Sequence, residues 1–180
     1  MSEDIAGKKV AILAEELYED MELWYPYYRL KEAGADVKIV GSGRADSFKS
    51  KHGYPVVPDV AIDDTSAAKF DAVVIPGGYS PDHMRRKPAM VDFVREMDRA
   101  GKPVAAICHA GWMLVSAGIV KGRRATCFFS IKDDLVAAGA RYTDEAVVVD
   151  GNLITSRNPA DLPKFVPALI DALSRTRAAV

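Results

Sequence analysis

The chain has 180 residues, 49% of them hydrophobic, and its 24 basic and 25 acidic side chains give a formal net charge of −1. That balance offers no positive excess to bind nucleic acid or an anionic membrane, so neither partner is expected. Two cysteines cannot form a disulfide framework, and Met1-Ser2-Glu3-Asp4 lacks the basic and apolar regions of a signal peptide. These features predict a cytoplasmic protein with one domain over residues 1–180.

Strand-like and helix-like segments alternate through the first half of the chain. Val10–Ala14 is a short apolar run typical of a strand buried on both faces. A helix is predicted from about Asp20 to Ala33, ended by Gly34 and either kinked or restarted at Pro26. Further strands are predicted over Asp36–Val40 and over Asp71–Ile75. Val56–Ile62 is predicted to be a short strand or a hairpin arm, at a sheet edge because of Pro55 and Pro58.

The second half continues the alternation. Asp150-Gly151-Asn152 between Val147–Val149 and Leu153–Thr155 predicts a β-hairpin, because Asp-Gly favours the positive φ of a tight turn. The other predicted elements are helices over Pro88–Ala100, Ala110–Ala117, Ile131–Ala138 and Phe165–Leu173, and strands over Pro103–Ile107 and Ala125–Cys127. Short buried strands separated by helices predict a three-layer α/β sandwich with a mainly parallel sheet and helices on both faces.

Folds of this class bind ligands beyond the carboxyl ends of their strands. Three such strand ends carry unusual chemistry, namely Glu15–Glu22, Gly77–Asp82 and Cys108–Gly111. We therefore expect the functional residues to lie at these three exits.

Cys108 lies where a buried strand meets a helix, with alanine two residues before and two residues after it. This small-x-Cys-x-small pattern resembles the Gly-x-Ser-x-Gly nucleophile elbow, whose sharp turn crowds those two positions. A helix N-terminus beneath the sulfur would favour the thiolate. The N–H groups of His109 and Gly78 would then form an oxyanion hole, with Gly77 lining the pocket.

Each of these residues also has a structural interpretation. Most free cysteines are inert and buried, which is the interpretation preferred for Cys127 because no base lies near it in sequence. His109 is a candidate base beside the thiol or a solvent-facing residue at a helix start. His83 is interpreted as a surface histidine. The dispersed histidines lack the spacing of a zinc site, so no metal and no cofactor is predicted.

Three segments together resemble the ThiJ/PfpI family, which is related to class I glutamine amidotransferases. They are Val74-Ile75-Pro76-Gly77-Gly78, Ala105-Ala106-Ile107-Cys108-His109 and Ser156-Arg157-Asn158-Pro159-Ala160-Asp161-Leu162. The similarity is greatest to the PfpI-like intracellular protease branch and runs from about Lys9 to Leu173. It implies a flavodoxin-like sandwich and a homo-oligomer whose active site lies near a subunit boundary.

The resemblance also assigns roles to acidic residues. A glutamate early in the first helix of the family contacts the reactive sulfur, and Glu22 is the matching position, with Glu15, Glu16 and Glu19 as alternatives. PfpI-like proteins complete a Cys-His-acid arrangement with an acid from the adjacent subunit. Asp82 stands at that position here, where the PfpI pattern has a glutamate.

Two departures from the family pattern bear on activity. Trp112 follows the Cys-His pair closely and places a bulky ring in the predicted pocket, and Phe128 replaces a tyrosine and so lacks a hydroxyl donor. Both changes weaken the case for peptidase activity.

Three functions remain open. The first is an enzyme with Cys108 as nucleophile and Glu22 or His109 moving protons, acting on small aldehydes such as methylglyoxal, on glycated groups, or on peptides. The second is a stress-response sensor whose Cys108 is oxidised to sulfenic or sulfinic acid. The third, a glutaminase subunit, is weak because no histidine follows His109.

Overall fold

The computed structural model describes residues 5–176, so Met1–Asp4, on which the signal-peptide prediction depends, lie outside the described residues. Six α-helices occur in the described part: α1 Asp20–Glu32, α2 Ser80–Met84, α3 Pro88–Arg99, α4 Gly111–Ala117, α5 Lys132–Ala137 and α6 Leu162–Arg175. Within those residues, no helix combines the length and apolarity needed to cross a membrane.

The strands form one large sheet and two small ribbons. The strands in chain order are β1 Lys9–Ala14, β2 Asp36–Gly41, β3 Phe48–Lys49, β4 Pro55–Val56, β5 Val60–Ala61, β6 Ala72–Ile75, β7 Val104–Ile107, β8 Arg124–Ala125, β9 Arg141–Tyr142, β10 Val147–Asp150 and β11 Leu153–Ser156. Seven of them pair in the order β10-β11-β7-β6-β1-β2-β5. All neighbours in this sheet are parallel except the β10–β11 hairpin.

Side chains of the central strands alternate between two apolar cores. In β1, Val10 and Ile12 pack in the core beneath α1 and α6, whereas Ala11 and Leu13 pack in the core beneath α3, α4 and α5. A strand with helices on both faces needs apolar residues at every position, which explains the uninterrupted apolar run. The flavodoxin-like three-layer sandwich is confirmed.

The element predictions differ from the structure mainly around prolines. Helix α1 starts at Asp20 and continues through a buried Pro26, so the alternative of a restart at Pro26 is wrong. The segment Val56–Ile62, predicted as a strand or a hairpin arm, is divided: Val56 lies in an antiparallel arm that pairs with β3, and only Val60–Ala61 joins the main sheet. As Pro55 and Pro58 indicate, β5 is an edge strand.

The strand order places three loops together at one edge of the sheet. β7, β6 and β1 are adjacent and parallel, so the loops that follow them meet at their carboxyl ends. The chain leaves β1 toward β2 on one side and leaves β6 toward β7 on the other. The β1–β6 boundary is therefore the topological switch point, where doubly wound sheets open a crevice.

Candidate active site

Cys108 occupies a strained turn between β7 and α4. Its φ is +61°, in the left-handed region that residues other than glycine rarely adopt. Ala106 and Ala110 are buried, as the elbow pattern requires, and Cys108 as a whole residue is only 8% exposed. The backbone N–H groups of Gly78 and His109 lie beside the sulfur and lower the pKa of the thiol. Strain of this kind persists where the surrounding structure over-determines it, which is common at active sites.

The glycine pair after β6 is required by its close contacts. A Cβ atom on Gly77 would lie 2.6 Å from the Cys108 Cβ and 2.6 Å from the Glu22 Oε2. The thiol and the carboxyl therefore leave no room for a side chain at Gly77. Gly78 has a φ of +71°, and a Cβ there would lie 2.4 Å from the Leu17 carbonyl oxygen. Glycine at both positions lets the backbone approach the sulfur.

Glu22 is fully buried beside the thiol. Its Oε2 accepts the Gly77 N–H at 2.8 Å, and its carboxyl group also interacts with the Cys108 side chain. Burial raises the pKa of Glu22 to about 8, an effect that the Gly77 hydrogen bond opposes. At neutral pH this carboxyl is therefore mostly protonated and is able to donate a hydrogen bond to a thiolate.

The other three acidic candidates point elsewhere. Glu15 is held by Arg44 and Ser42, and Glu16 accepts the Lys49 N–H. The carboxylate of Glu19 pairs with the ammonium of Lys51. Among the four candidates, only Glu22 lies against the sulfur.

The prediction of a stabilised thiolate needs correction. Burial raises the pKa of the Cys108 thiol to about 12, and the negative charge of an ionised Glu22 raises it further, against the two N–H donors that lower it. The contribution from Glu22 disappears when that carboxyl is protonated. The pair therefore titrates as a unit, and the state able to attack is a thiolate beside a protonated Glu22.

His109 is held between two aromatic rings. Its Nδ1 lies 3.2 Å from the Cys108 sulfur and its Nε2 lies 3.1 Å from the Ser130 hydroxyl. The Phe128 ring stacks on the imidazole with centroids 5.0 Å apart, and Trp112 meets it edge-on at 5.1 Å. Burial lowers the pKa of His109, as does the charge of Lys51, so the imidazole is neutral at pH 7 and can accept a proton.

Asp82 does not reach His109 within one chain. Its carboxylate pairs with Arg86 one turn further along. A role for Asp82 across a subunit boundary stays a prediction, because the structure contains one protomer.

Two side chains of this site escaped the sequence analysis. Ser130 follows the aromatic pair in a 3₁₀ turn, and no motif marks it. Lys51 lies in the segment Lys51-His52-Gly53-Tyr54, and its pKa is raised by Glu19 first and also by the charges of Cys108 and Glu22. Its ammonium group, which pairs with Glu19, is therefore close enough for the charges of the thiol and its carboxyl partner to act on it.

One cluster in the described part of the chain has metal-ligating atoms close together. Glu19, Asp20 and His52 each offer an atom within 4.8 Å of the others. The Lys51 ammonium already pairs with Glu19, and His52 pairs with Asp20 at 2.7 Å. These ion pairs occupy the carboxylates, and the absence of a metal stays a prediction. Cys127 is buried, with its pKa raised by burial to about 12.

Comparisons with known proteins show the family of this chain. The model of the DJ-1/PfpI family matches residues 8–172, and the chain belongs to this family. Deglycase PfpI of Pyrococcus furiosus is 45% identical over 92% of this chain and 99% of its own. YraA of Bacillus subtilis, whose name provisionally assigns it as a cysteine protease, is 40% identical over 88% of this chain and 94% of its own.

A solved structure from Anabaena variabilis has the same fold, with a TM-score of 0.91 and 45% identity over 96% of this chain. That protein joins a DJ-1/ThiJ/PfpI-like domain to a ferritin-like domain, and the present chain spans 52% of its length.

Proposed function

We propose that this chain is a cytoplasmic stress-response enzyme that uses Cys108 to convert small reactive aldehydes, free or attached to amines as glycated groups, into hydroxy acids. The observation that carries the proposal is the pairing of a strained, N–H-lined thiol with the buried carboxyl of Glu22. The name of the related PfpI deglycase supports this substrate class. No cofactor is needed for the steps below.

The reaction begins when the Cys108 sulfur adds to the aldehyde carbon of a dicarbonyl such as methylglyoxal. The thiol proton passes through Glu22 to the new alkoxide, which gives a hemithioacetal, and the N–H groups of Gly78 and His109 stabilise the developing oxyanion. A hemiaminal formed with an amine enters the same sequence after its C–N bond breaks and the amine leaves.

The second stage moves one proton between adjacent carbons. A base, either His109 or Glu22, removes the proton of the former aldehyde carbon and returns it to the neighbouring carbon through an enediol. The hydroxyl proton of the former aldehyde carbon passes to the former ketone oxygen, which gives a thioester of a 2-hydroxy acid. Water then hydrolyses the thioester and restores the thiol. The aldehyde carbon is oxidised and the ketone carbon is reduced, so the net reaction consumes one water and no external oxidant.

Peptide hydrolysis and oxidant sensing compete with this proposal. The name of YraA supports a peptidase, but the rings of Trp112 and Phe128 enclose His109 and favour a small substrate. A sensor is favoured by one observation: a protonated Glu22 would donate a hydrogen bond to a sulfinate on Cys108.

A methylglyoxal turnover assay on matched cysteine variants tests the proposal. We expect Cys108→Ser to lose at least about 100-fold in kcat/KM, since a serine hydroxyl is a much weaker nucleophile than a cysteine thiol. Cys127→Ser, which changes the other buried thiol, is the control and should keep wild-type turnover. Turnover that survives Cys108→Ser contradicts the nucleophile. Stoichiometric oxidation of Cys108 by mild peroxide, without any turnover, would instead support the sensor.

A further inference from the structure

A cavity opens at the topological switch point, lined by residues that the thiol site does not use. It has a volume of about 340 Å³ and is lined by the loops after β1 and β2 and by the segment from α2 to Lys87. None of its lining residues contacts Cys108. The Tyr79 N–H donates to the Leu17 carbonyl and so joins the loop after β6 to the loop after β1. Crevices at this position of a doubly wound sheet are the usual places for ligands.

The charges lining this cavity are mostly positive. Arg44, Arg86 and Lys87 contribute three cations, and Glu15 contributes the one carboxylate among the lining residues. Glu15 is buried, and Arg44 holds it through two hydrogen bonds of 3.0 Å. A guanidinium has five N–H donors, so Arg44 keeps three donors beyond those given to Glu15.

The remaining two cations are held only by exposed ion pairs. Arg86 pairs with Asp82, and Lys87 pairs with Asp63, whose side chain is 57% exposed. Exposed ion pairs of this kind contribute about 0–1 kcal/mol to stability, so a ligand with a higher negative charge can displace the carboxylate. Both cations can therefore turn toward a ligand in the cavity at little cost.

A histidine nitrogen also lacks a partner here. His83 lines the same cavity, and its Nδ1 is buried without a hydrogen-bond partner in the part of the chain that the structure describes. A buried polar atom of this kind requires an explanation, and a ligand or water in the adjacent cavity would supply one.

From these observations we infer that the cavity is a binding site for a small phosphomonoester. Arg86 and Lys87 can exchange their carboxylate partners, Asp82 and Asp63, for the two negative charges of a phosphate ester, and the volume suits a sugar-phosphate-sized molecule. None of the cavity-lining residues contacts Cys108, and Arg86 pairs with Asp82, for which a role across a subunit boundary is predicted.

Titration calorimetry at constant ionic strength tests this site with inorganic phosphate, ribose 5-phosphate and citrate as probes. We expect saturable binding of the phosphate probes, with ribose 5-phosphate tighter than inorganic phosphate. Arg86→Ala/Lys87→Ala should weaken binding by at least about tenfold, because two charge-assisted contacts are lost. Arg99→Ala/Lys121→Ala removes the same charge from exposed positions outside the cavity and is the matched control.

A variant with the opposite sign completes the test. Glu15→Gln keeps a hydrogen-bond acceptor for Arg44 but removes the lining negative charge, so phosphate should bind several-fold more tightly. The proposal fails if phosphate probes do not saturate, if both double variants bind equally well, or if Glu15→Gln weakens binding in a protein that remains folded by circular dichroism. Tighter binding of citrate than of either phosphate probe would overturn the assignment to phosphate.

Discussion

Glu22 is a carboxyl group without solvent exposure, and burial raises its pKa to about 8, whereas the ordinary value is 4.5. The folded protein therefore holds this proton more tightly than the unfolded chain does. The stability that comes from the proton is complete below about pH 4.5 and is lost as the pH rises through about 8. Protein stability and the chemistry at Cys108 thus depend on the same proton.

Substitution Glu22→Gln should remove this pH dependence. As the pH rises from 4.5 to 8, the free energy of unfolding of the wild type should fall relative to that of the variant. The difference should change by on the order of 1 kcal/mol per pH unit at the steepest. Urea unfolding at several pH values measures the difference. Glu32→Gln, at an exposed side chain, makes the same change of charge away from the site and should show no such divergence. Parallel stability curves for wild type and Glu22→Gln would contradict the protonated carboxyl.

At this scale, the sequence predicted the residues whose backbone or spacing is distinctive. Cys108 and Gly78 follow from the elbow and the glycine pair, and the structure brings Glu22 to the sulfur as the family resemblance implied. Ser130 and Lys51 could not be found in this way, because each reaches the site through a loop whose path is set by tertiary packing. The rise in the pKa of Cys108 was missed for a similar reason, since burial cannot be judged from local spacing.

The turns that connect the elements of the site differ in how much space they leave for a side chain. The turn after β6 packs between the β1–α1 loop and the Cys108 elbow, and Tyr18 bridges Gly78 on one side and Ser50 on the other. Gly118 caps the C-terminus of α4 and has nearly the same φ as Gly78, but it has open space where a Cβ atom would lie. The two glycines therefore separate the cost of backbone strain from the cost of steric contact.

Alanine substitutions at these two glycines should differ clearly. Gly118→Ala, at φ +72° with no atom within 4 Å of the new Cβ, should lose about 1–2 kcal/mol of stability and keep its activity. Gly78→Ala, at φ +71° with backbone atoms at 2.4 and 2.6 Å, should lose at least about 2 kcal/mol more and should also lose turnover, because its N–H must move away from the sulfur. Thermal unfolding and the methylglyoxal assay measure both. Equal losses of stability at the two positions would contradict the close packing of the turn.

The order of the elements was more predictable than their lengths. Apolar runs identified β1, β6 and β7, because strands covered by helices on both faces are built mainly from apolar residues. β2 was identified from Val37, Ile39 and Val40, although it also contains an exposed Lys38. The segment from Val56 to Ile62 is divided between the antiparallel β3–β4 ribbon and the edge of the main sheet, a division that its own alternation did not predict.

At the scale of the whole molecule, Asp82 raises the question of assembly. In one chain its carboxylate pairs with Arg86 and not with His109, whose Nε2 instead meets the Ser130 hydroxyl. A partly exposed aspartate beside the predicted site is suited to act on a neighbouring subunit, as the resemblance to PfpI-like proteins implies. Homo-oligomerisation and a single domain over residues 1–180 stay predictions.

Mixing two inactive variants would show whether the site is shared between subunits. We expect Asp82→Asn and Cys108→Ser to be impaired separately and to recover activity after they are unfolded and refolded together. In a mixed pair, the Asp82→Asn chain keeps its thiol and receives the partner subunit's Asp82, so one of the two sites is complete. Random pairing makes half of the dimers mixed, and recovery should approach about a quarter of wild-type turnover. The same variants mixed without unfolding are the control. If Asp82 acts within its own chain, every mixed site lacks either the thiol or the carboxylate, and no recovery above the separate variants is possible.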